Sequence, residues 1–134
     1  MEQQDLFLDN VLIASGPVII ENGKVLLNKH GEVKHWKFPG GDIYEKNGTL
    51  EEWALRRAKE EMGIECEIIK PLKPIIIWRE DKTIILIHYL AKRTSLKIEP
   101  AEFIEAWDWF DIYNLPSDCA PNIKPVIEEH FKEK

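Results

Sequence analysis

One helix constrains this chain more than any other segment, because the side it should bury carries charge. The stretch "TLEEWALRRAKEEMGI" predicts a helix starting at about Leu50. Thr49 with Glu52 makes a capping box, each side chain satisfying a free backbone donor of the other. Gly63 is placed to close the helix in a left-handed conformation. At about 100° per residue, Leu50, Ala54, Leu55, Ala58 and Met62 share an arc of roughly 140°, with Trp53 at its far edge. Glu52, Arg56 and Lys59 point the other way. Glu61, however, falls between Leu50 and Ala54, and Arg57 and Glu60 lie along the same edge of the core-facing side. A carboxylate taken out of water unpaired costs several kcal/mol, so these acids need a partner.

Two partners meet that need. Arg57 is one turn from both acids, at the (i, i+3) and (i, i+4) spacings that favour ion pairs. A divalent metal held by clustered carboxylates is the other, with open positions for substrate phosphates. Gly40 and Gly41 precede the helix and let backbone come close to a ligand, where a carbonyl can coordinate a hard cation. "DIYEKNG" is no EF-hand loop, since Tyr44 and Lys46 stand at the ligand positions after Asp42.

The remaining chain reads as strands with one more helix. "NVLIASGPVIIENGKVLLNKH" holds two β-rich runs around Asn22-Gly23, a tight-hairpin dipeptide. "IECEIIKPLKPIIIWRE" and "KTIILIHYLAKRT" read as long strands joined by a turn at Glu80-Asp81-Lys82. "EAWDWFDI" reads as a further strand and "NIKPVIEEHFKE" as a closing helix. Strands with one central and one terminal helix, without regular βαβ alternation, predict a mixed sheet flanked by helices, an α+β fold. With 134 residues, 44% hydrophobic, the chain suits one domain over residues 1–134.

A net charge of -6 without a basic run argues against nucleic-acid binding. It leaves room for a small anionic substrate bridged by a divalent cation. Cys66 and Cys119, far apart and without a second pair, read as buried reduced thiols. "MEQQDLFLDN" is acidic with no long apolar run, and no segment is apolar over the length of a bilayer. A cytoplasmic protein without membrane contact is the expectation.

"FPGGDIYEKNGTLEEWALRRAKEEMGI" resembles the Nudix box: glycine, five residues, glutamate, seven residues, then Arg-Glu-aliphatic-x-Glu-Glu-x-Gly-aliphatic. Gly41 matches the opening glycine, Arg56 the arginine, Glu60 and Glu61 the paired glutamates, and Gly63 with Ile64 the ending. The leading hairpin and "WDWFDIYNLP" extend the likeness over most of the chain. The resemblance implies an α/β/α sandwich around a mixed sheet. It also implies hydrolysis of a nucleoside triphosphate or other nucleoside diphosphate derivative with Mg2+ or Mn2+. By position, Glu61 is a direct metal ligand, Glu60 a ligand or water-mediated partner, and the Gly40 carbonyl a further ligand. Arg56 orients Glu60.

Two positions depart from the pattern. The glutamate expected after the arginine is Arg57, and the first glutamate falls on Gly48, with Glu45 in a loop one residue longer. A guanidinium among the ligands repels metal and pairs with Glu60 and Glu61, or grips a phosphate bidentately. The alternative function is therefore a catalytically inactive nucleotide- or phosphate-binding module.

Outside the box, Glu102, with Glu105 second, is the candidate for the acid that family members recruit from a later segment. "CAPNIKPVIEE" resembles the tail of the pyrophosphatases that remove oxidised purine nucleotides, where an asparagine reads the base. Asn122 takes that role or caps the closing helix. The five tryptophans read mainly as core, and His30, His35, His88 and His130 share no ligand spacing. Family members often pair, so a homodimer is a possible partner state.

Overall fold

In the computed structural model, described for residues 10–31 and 35–132, the Asn22-Gly23 dipeptide turns the chain sharply. Asn22 has φ 54° and Gly23 φ 76°, the positive pair a two-residue hairpin needs. It joins β1 (Val11–Glu21) to β2 (Lys24–His30), with Ile20 opposite Val25 and Glu21 opposite Lys24. There follow β3 (Gly41–Asp42), α1 (Leu50–Met62), β4 (Cys66–Pro71), β5 (Ile75–Trp78), β6 (Thr83–Arg93), β7 (Ile104–Asp111) and α2 (Ile123–Lys132). The strands form one mixed sheet in the order β4-β6-β1-β2-β7, with β3 added to β1 and β5 to β6. β1 and β6 run parallel, from Val11 opposite Thr83 to Ile19 opposite Ala91.

Successive strand residues face opposite sides, so a sheet covered on both faces carries unbroken apolar runs. Val18 and Ile19 are neighbours yet belong to different cores, and Leu26 likewise faces away from Val25 and Leu27. One core closes on Ile123, Val126 and Ile127 of α2. The other closes on Ala58 and Met62 of α1. The expected α/β/α sandwich is the observed one.

α1 has the caps its sequence calls for. The Thr49 hydroxyl accepts from the Glu52 N–H at 3.1 Å, and the Glu52 carboxylate accepts from the Thr49 N–H at 2.8 Å. Gly63 is left-handed at φ 65° and its N–H donates to the Lys59 carbonyl. Thr49→Ala is expected to cost about 1 kcal/mol of stability. The check is a lower urea midpoint at unchanged slope, with Thr49→Ser near the parent.

Several expectations are corrected. "IECEIIKPLKPIIIWRE" is two strands, β4 and β5, parted where Pro74 offers no N–H to the ladder. The glycine pair does not simply break structure, because Gly41 begins β3, opposite Ser15 of β1. Leu50, in the first turn of α1, is 38% exposed, and Trp78 and Trp107 sit in strands yet are exposed. Cys66 and Cys119 are free thiols but only partly buried. Burial pushes the Cys66 thiol up to about 11. Among the described residues no helix is long and apolar enough to cross a membrane. The N-terminal stretch read for a signal segment lies, in residues 1–9, outside the described residues.

Candidate active site

The site begins with two backbones lying against one another. Gly16 of β1 faces the peptide of Pro39 and Gly40, and a Cβ on Gly16 would overlap the Pro39 carbonyl. Gly40 has φ 123°, a conformation that side chains resist. Asn28 and Lys37 exchange backbone hydrogen bonds of 2.9 Å in each direction, tying the preceding residues to β2. The Ser15 hydroxyl donates to the Leu50 carbonyl at 2.8 Å, fixing the first turn of α1 to β1. Helix and glycine bend are thus brought together around Glu61.

Glu61 is fully buried, as its place on the helical wheel requires. Its compensation does not come from Arg57. Oε1 accepts from the Asn28 amide at 2.9 Å, the Lys37 ammonium at 3.1 Å and the Gly40 N–H at 3.2 Å. Oε2 lies 3.0 Å from Nε2 of His30. Burial works to raise the Glu61 carboxyl, but the His30 hydrogen bond, the Lys37 charge and the Asn28 amide outweigh it and hold the group below the usual carboxylate range. Burial likewise draws the Lys37 ammonium below its ordinary value, opposed by the charge and hydrogen bond of Glu61.

Glu60 lies on the exposed side of the same edge and pairs with the helix's own arginines. Arg57 Nη1 donates to Oε1 at 2.8 Å and Arg56 Nε to Oε2 at 3.2 Å. The Tyr44 hydroxyl also donates to Oε2. That phenol contributes most to holding the Glu60 carboxyl below its usual range, ahead of Arg57 and Arg56. Arg56 reaches on to Glu45 at 3.2 Å. Of the two helix acids, Arg56 and Arg57 meet Glu60, and the partners of Glu61 come from elsewhere.

The implied Mg2+ or Mn2+ does not fit this donor set. The Gly40 carbonyl accepts from Lys37 Nζ at 3.1 Å. Both oxygens of Glu61 face donors, and Glu60 is held by two guanidinium groups. Among the described residues no group of three or more His, Cys, Asp or Glu side chains could hold a metal ion. Glu102 is exposed, on the turn before β7, next to Ala101, whose N–H donates to the Glu61 backbone carbonyl at 2.9 Å. Glu105 is exposed within β7.

A cleft opens over Gly40 and Gly41, floored by Phe38, Ile84 and Leu86. Asn122 lines its far wall, 7% exposed. His88 Nδ1 lies 2.9 Å from the Lys73 carbonyl, which can only accept, so Nδ1 carries the proton. Nε2 is then an acceptor, and the Asn122 amide nitrogen donates to it at 2.8 Å. This bond engages only the amide nitrogen; Asn122 stands immediately before α2, and its backbone carbonyl accepts from the Val126 N–H at 3.3 Å. Burial pushes the His88 imidazole down to about 4.

Lys37, His30 and His88 are the site residues that sequence reasoning missed. None shares a local spacing with its partner: Lys37 meets Glu61 across 24 residues, His30 meets it across 31, and His88 meets Asn122 across 34. The available signal for Lys37 was its place three residues before Gly40, within reach of that bend.

The family profile described as the NUDIX domain matches residues 12–130. No curated protein matches the chain. Among solved structures, a MutT NUDIX hydrolase from Burkholderia pseudomallei is 25% identical with a TM-score of 0.80, covering 89% of this chain and 97% of its own. A MutT protein from Methanosarcina mazei Go1 is 18% identical with a TM-score of 0.82, covering 92% and 95%. A C. elegans Ap4A hydrolase is 18% identical with a TM-score of 0.77, covering 91% and 96%. Since the matched residues run from β1 into α2 and include the capped helix with Glu60 and Glu61, the chain belongs to the Nudix family of hydrolases, which act on phosphoanhydride bonds.

Proposed function

We propose that this chain hydrolyses a nucleoside triphosphate or another nucleoside diphosphate derivative by water attack at phosphorus, with turnover held low by Arg57. The observation that carries the reading is the cleft lined by Gly40, Gly41 and Asn122, whose Gly41 lies against the Arg57 guanidinium of the box helix. A base can enter between Phe38 and Asn122 while its phosphates reach the glycine bend. Asn122 is the base reader in this reading. Its N–H is committed to His88, so its carbonyl oxygen is the atom left to accept from a base. Lys37 and Arg57 supply positive charge near the phosphates, while Glu60 and Glu61, neutralised by their partners, offer no free carboxylate to activate water. Glu102 remains the proposed outside acid, on its exposed turn.

A second reading, a nucleotide- or phosphate-binding module without turnover, is favoured by that same neutralisation. The two separate on one substitution. Arg57→Glu removes one positive charge and adds a negative one at the helix edge, releasing Oε1 of Glu60 while Arg56 and Tyr44 keep Oε2. It is expected to raise phosphate or pyrophosphate release from a nucleoside triphosphate panel, in Mg2+ or Mn2+, by about tenfold or more over the parent. If parent and variant are both inert on every substrate while nucleotides still bind, the hydrolase reading fails.

A further inference from the structure

The cleft wall and the metal position together carry an inference about how a ligand is held. In an acidic protein, the described residues lining this cleft include Lys37, Arg79 and His35 and no aspartate or glutamate. A polyphosphate approaching such a wall meets donors and positive charge directly, and needs no divalent bridge to screen carboxylates. Behind the wall, the place between Glu61 and the Gly40 carbonyl is already taken by a cation. An ammonium has three N–H donors, and Lys37 has three close acceptors: the Phe38 carbonyl at 2.8 Å, the Gly40 carbonyl at 3.1 Å and Glu61 Oε1 at 3.1 Å. The loss of the box acid that follows the arginine, here Arg57, points the same way. Arg57 lies against Gly41, where a Cβ would overlap its guanidinium, and its buried Nε has no partner among the described residues.

We propose that this cleft binds the phosphates of a nucleotide-like ligand without a divalent metal, with Lys37 as the resident cation between Glu61 and the Gly40 carbonyl and Arg79 as the direct phosphate contact at the mouth. The proposal rests on reading the cleft as a nucleotide site, but not on turnover. Among the described residues Glu61 is the one buried acid that would repel phosphate, and Lys37 neutralises it permanently, because it is part of the chain. Arg79 is exposed at the cleft edge and free to follow a ligand. Its planar fork suits two phosphate oxygens at once.

The test is calorimetric titration of the intact chain with ADP and with inorganic pyrophosphate, in EDTA and again in Mg2+. Mn2+ binding is followed in parallel by electron paramagnetic resonance. The parent is expected to bind ADP with affinities that agree within about threefold in the two buffers, and to leave Mn2+ in its free form. Arg79→Ala should weaken ADP and pyrophosphate about tenfold in EDTA, at an unchanged urea midpoint. Lys37→Met combined with Arg57→Glu should gain Mn2+ binding. If that pair does not fold, the EDTA comparison and Arg79→Ala still decide the matter. Binding that requires Mg2+, Mn2+ bound by the parent, or no binding of either probe in either buffer overturns the proposal. Turnover with metal-dependent binding would keep the hydrolase reading and sink this one. Binding in EDTA without any turnover would do the reverse.

Discussion

Glu61→Gln is expected to lower the stability of the chain by about 3 kcal/mol or more, while Glu60→Gln stays within about 1 kcal/mol of the parent. The two acids are neighbours on one helix, yet their surroundings differ. Glu61 is fully buried among donors. An amide in its place offers one acceptor where two are needed, turns an N–H toward other N–H groups, and leaves the Lys37 ammonium without its counter-charge. Glu60 keeps a third of its side chain in water, so its ion pairs are screened. The sign is what discriminates. In a cluster of unpaired acids awaiting a metal, removing one relieves repulsion and stabilises the protein. In a finished ion pair, removal destabilises. Urea midpoints of the two variants at pH 7 read the difference, and a stabilised Glu61→Gln would show that Lys37 does not hold that carboxylate.

Stability should also fall between pH 7.5 and 5 by about 2 kcal/mol on account of His88 alone. Its imidazole titrates at about 4 in the folded chain against 6.5 unfolded. The folded value is the lower one, so below pH 6.5 the unfolded chain takes up a proton that the native site refuses. The penalty grows as pH falls toward 4 and is constant below it. Glu61 acts in a separate window. Its folded value is also depressed, so the stability it contributes is present above its unfolded value and lost only as the pH drops past that point. At pH 5 the two do not overlap. His88→Gln, which cannot charge, should cut the loss between pH 7.5 and 5 to about 0.5 kcal/mol or less. Native His88 takes up its proton only near pH 4, where it presents a donor to the Asn122 amide nitrogen, so ligand affinity should hold down to pH 5 and fall as the pH approaches 4.

The features that could be read in advance are those whose causes are local. Asn22-Gly23, the capping box of Thr49 and Glu52, and the left-handed Gly63 are each settled by a few neighbouring residues. The inward turn of Glu61 was legible because helical periodicity alone puts it there. Its partner was not. Arg57 is close in sequence and was the natural candidate, but one turn of helix carries it to Glu60, while the buried side of the helix meets Lys37, Asn28 and His30 from β2 and the segment after it. Those encounters are products of the sheet, which no spacing rule encodes. The break between β4 and β5 was missed for a different reason: both halves are apolar, and the boundary is marked only by the short run from Pro71 to Pro74.

The parallel pairing of β1 with β6 has a consequence for how this molecule comes into being. The hairpin of β1 and β2 closes over two residues and can form as soon as it is made, but β6 comes from far along the chain, and Val11 waits for Thr83. Contacts of such long sequence separation are slow to form, since the intervening loop must be ordered first. The cleft floor draws on both strands, with Gly16 from one and Leu86 from the other. A newly synthesised chain therefore has no pocket until nearly the whole domain has emerged, and ligand can stabilise only the completed product, never the hairpin that begins it.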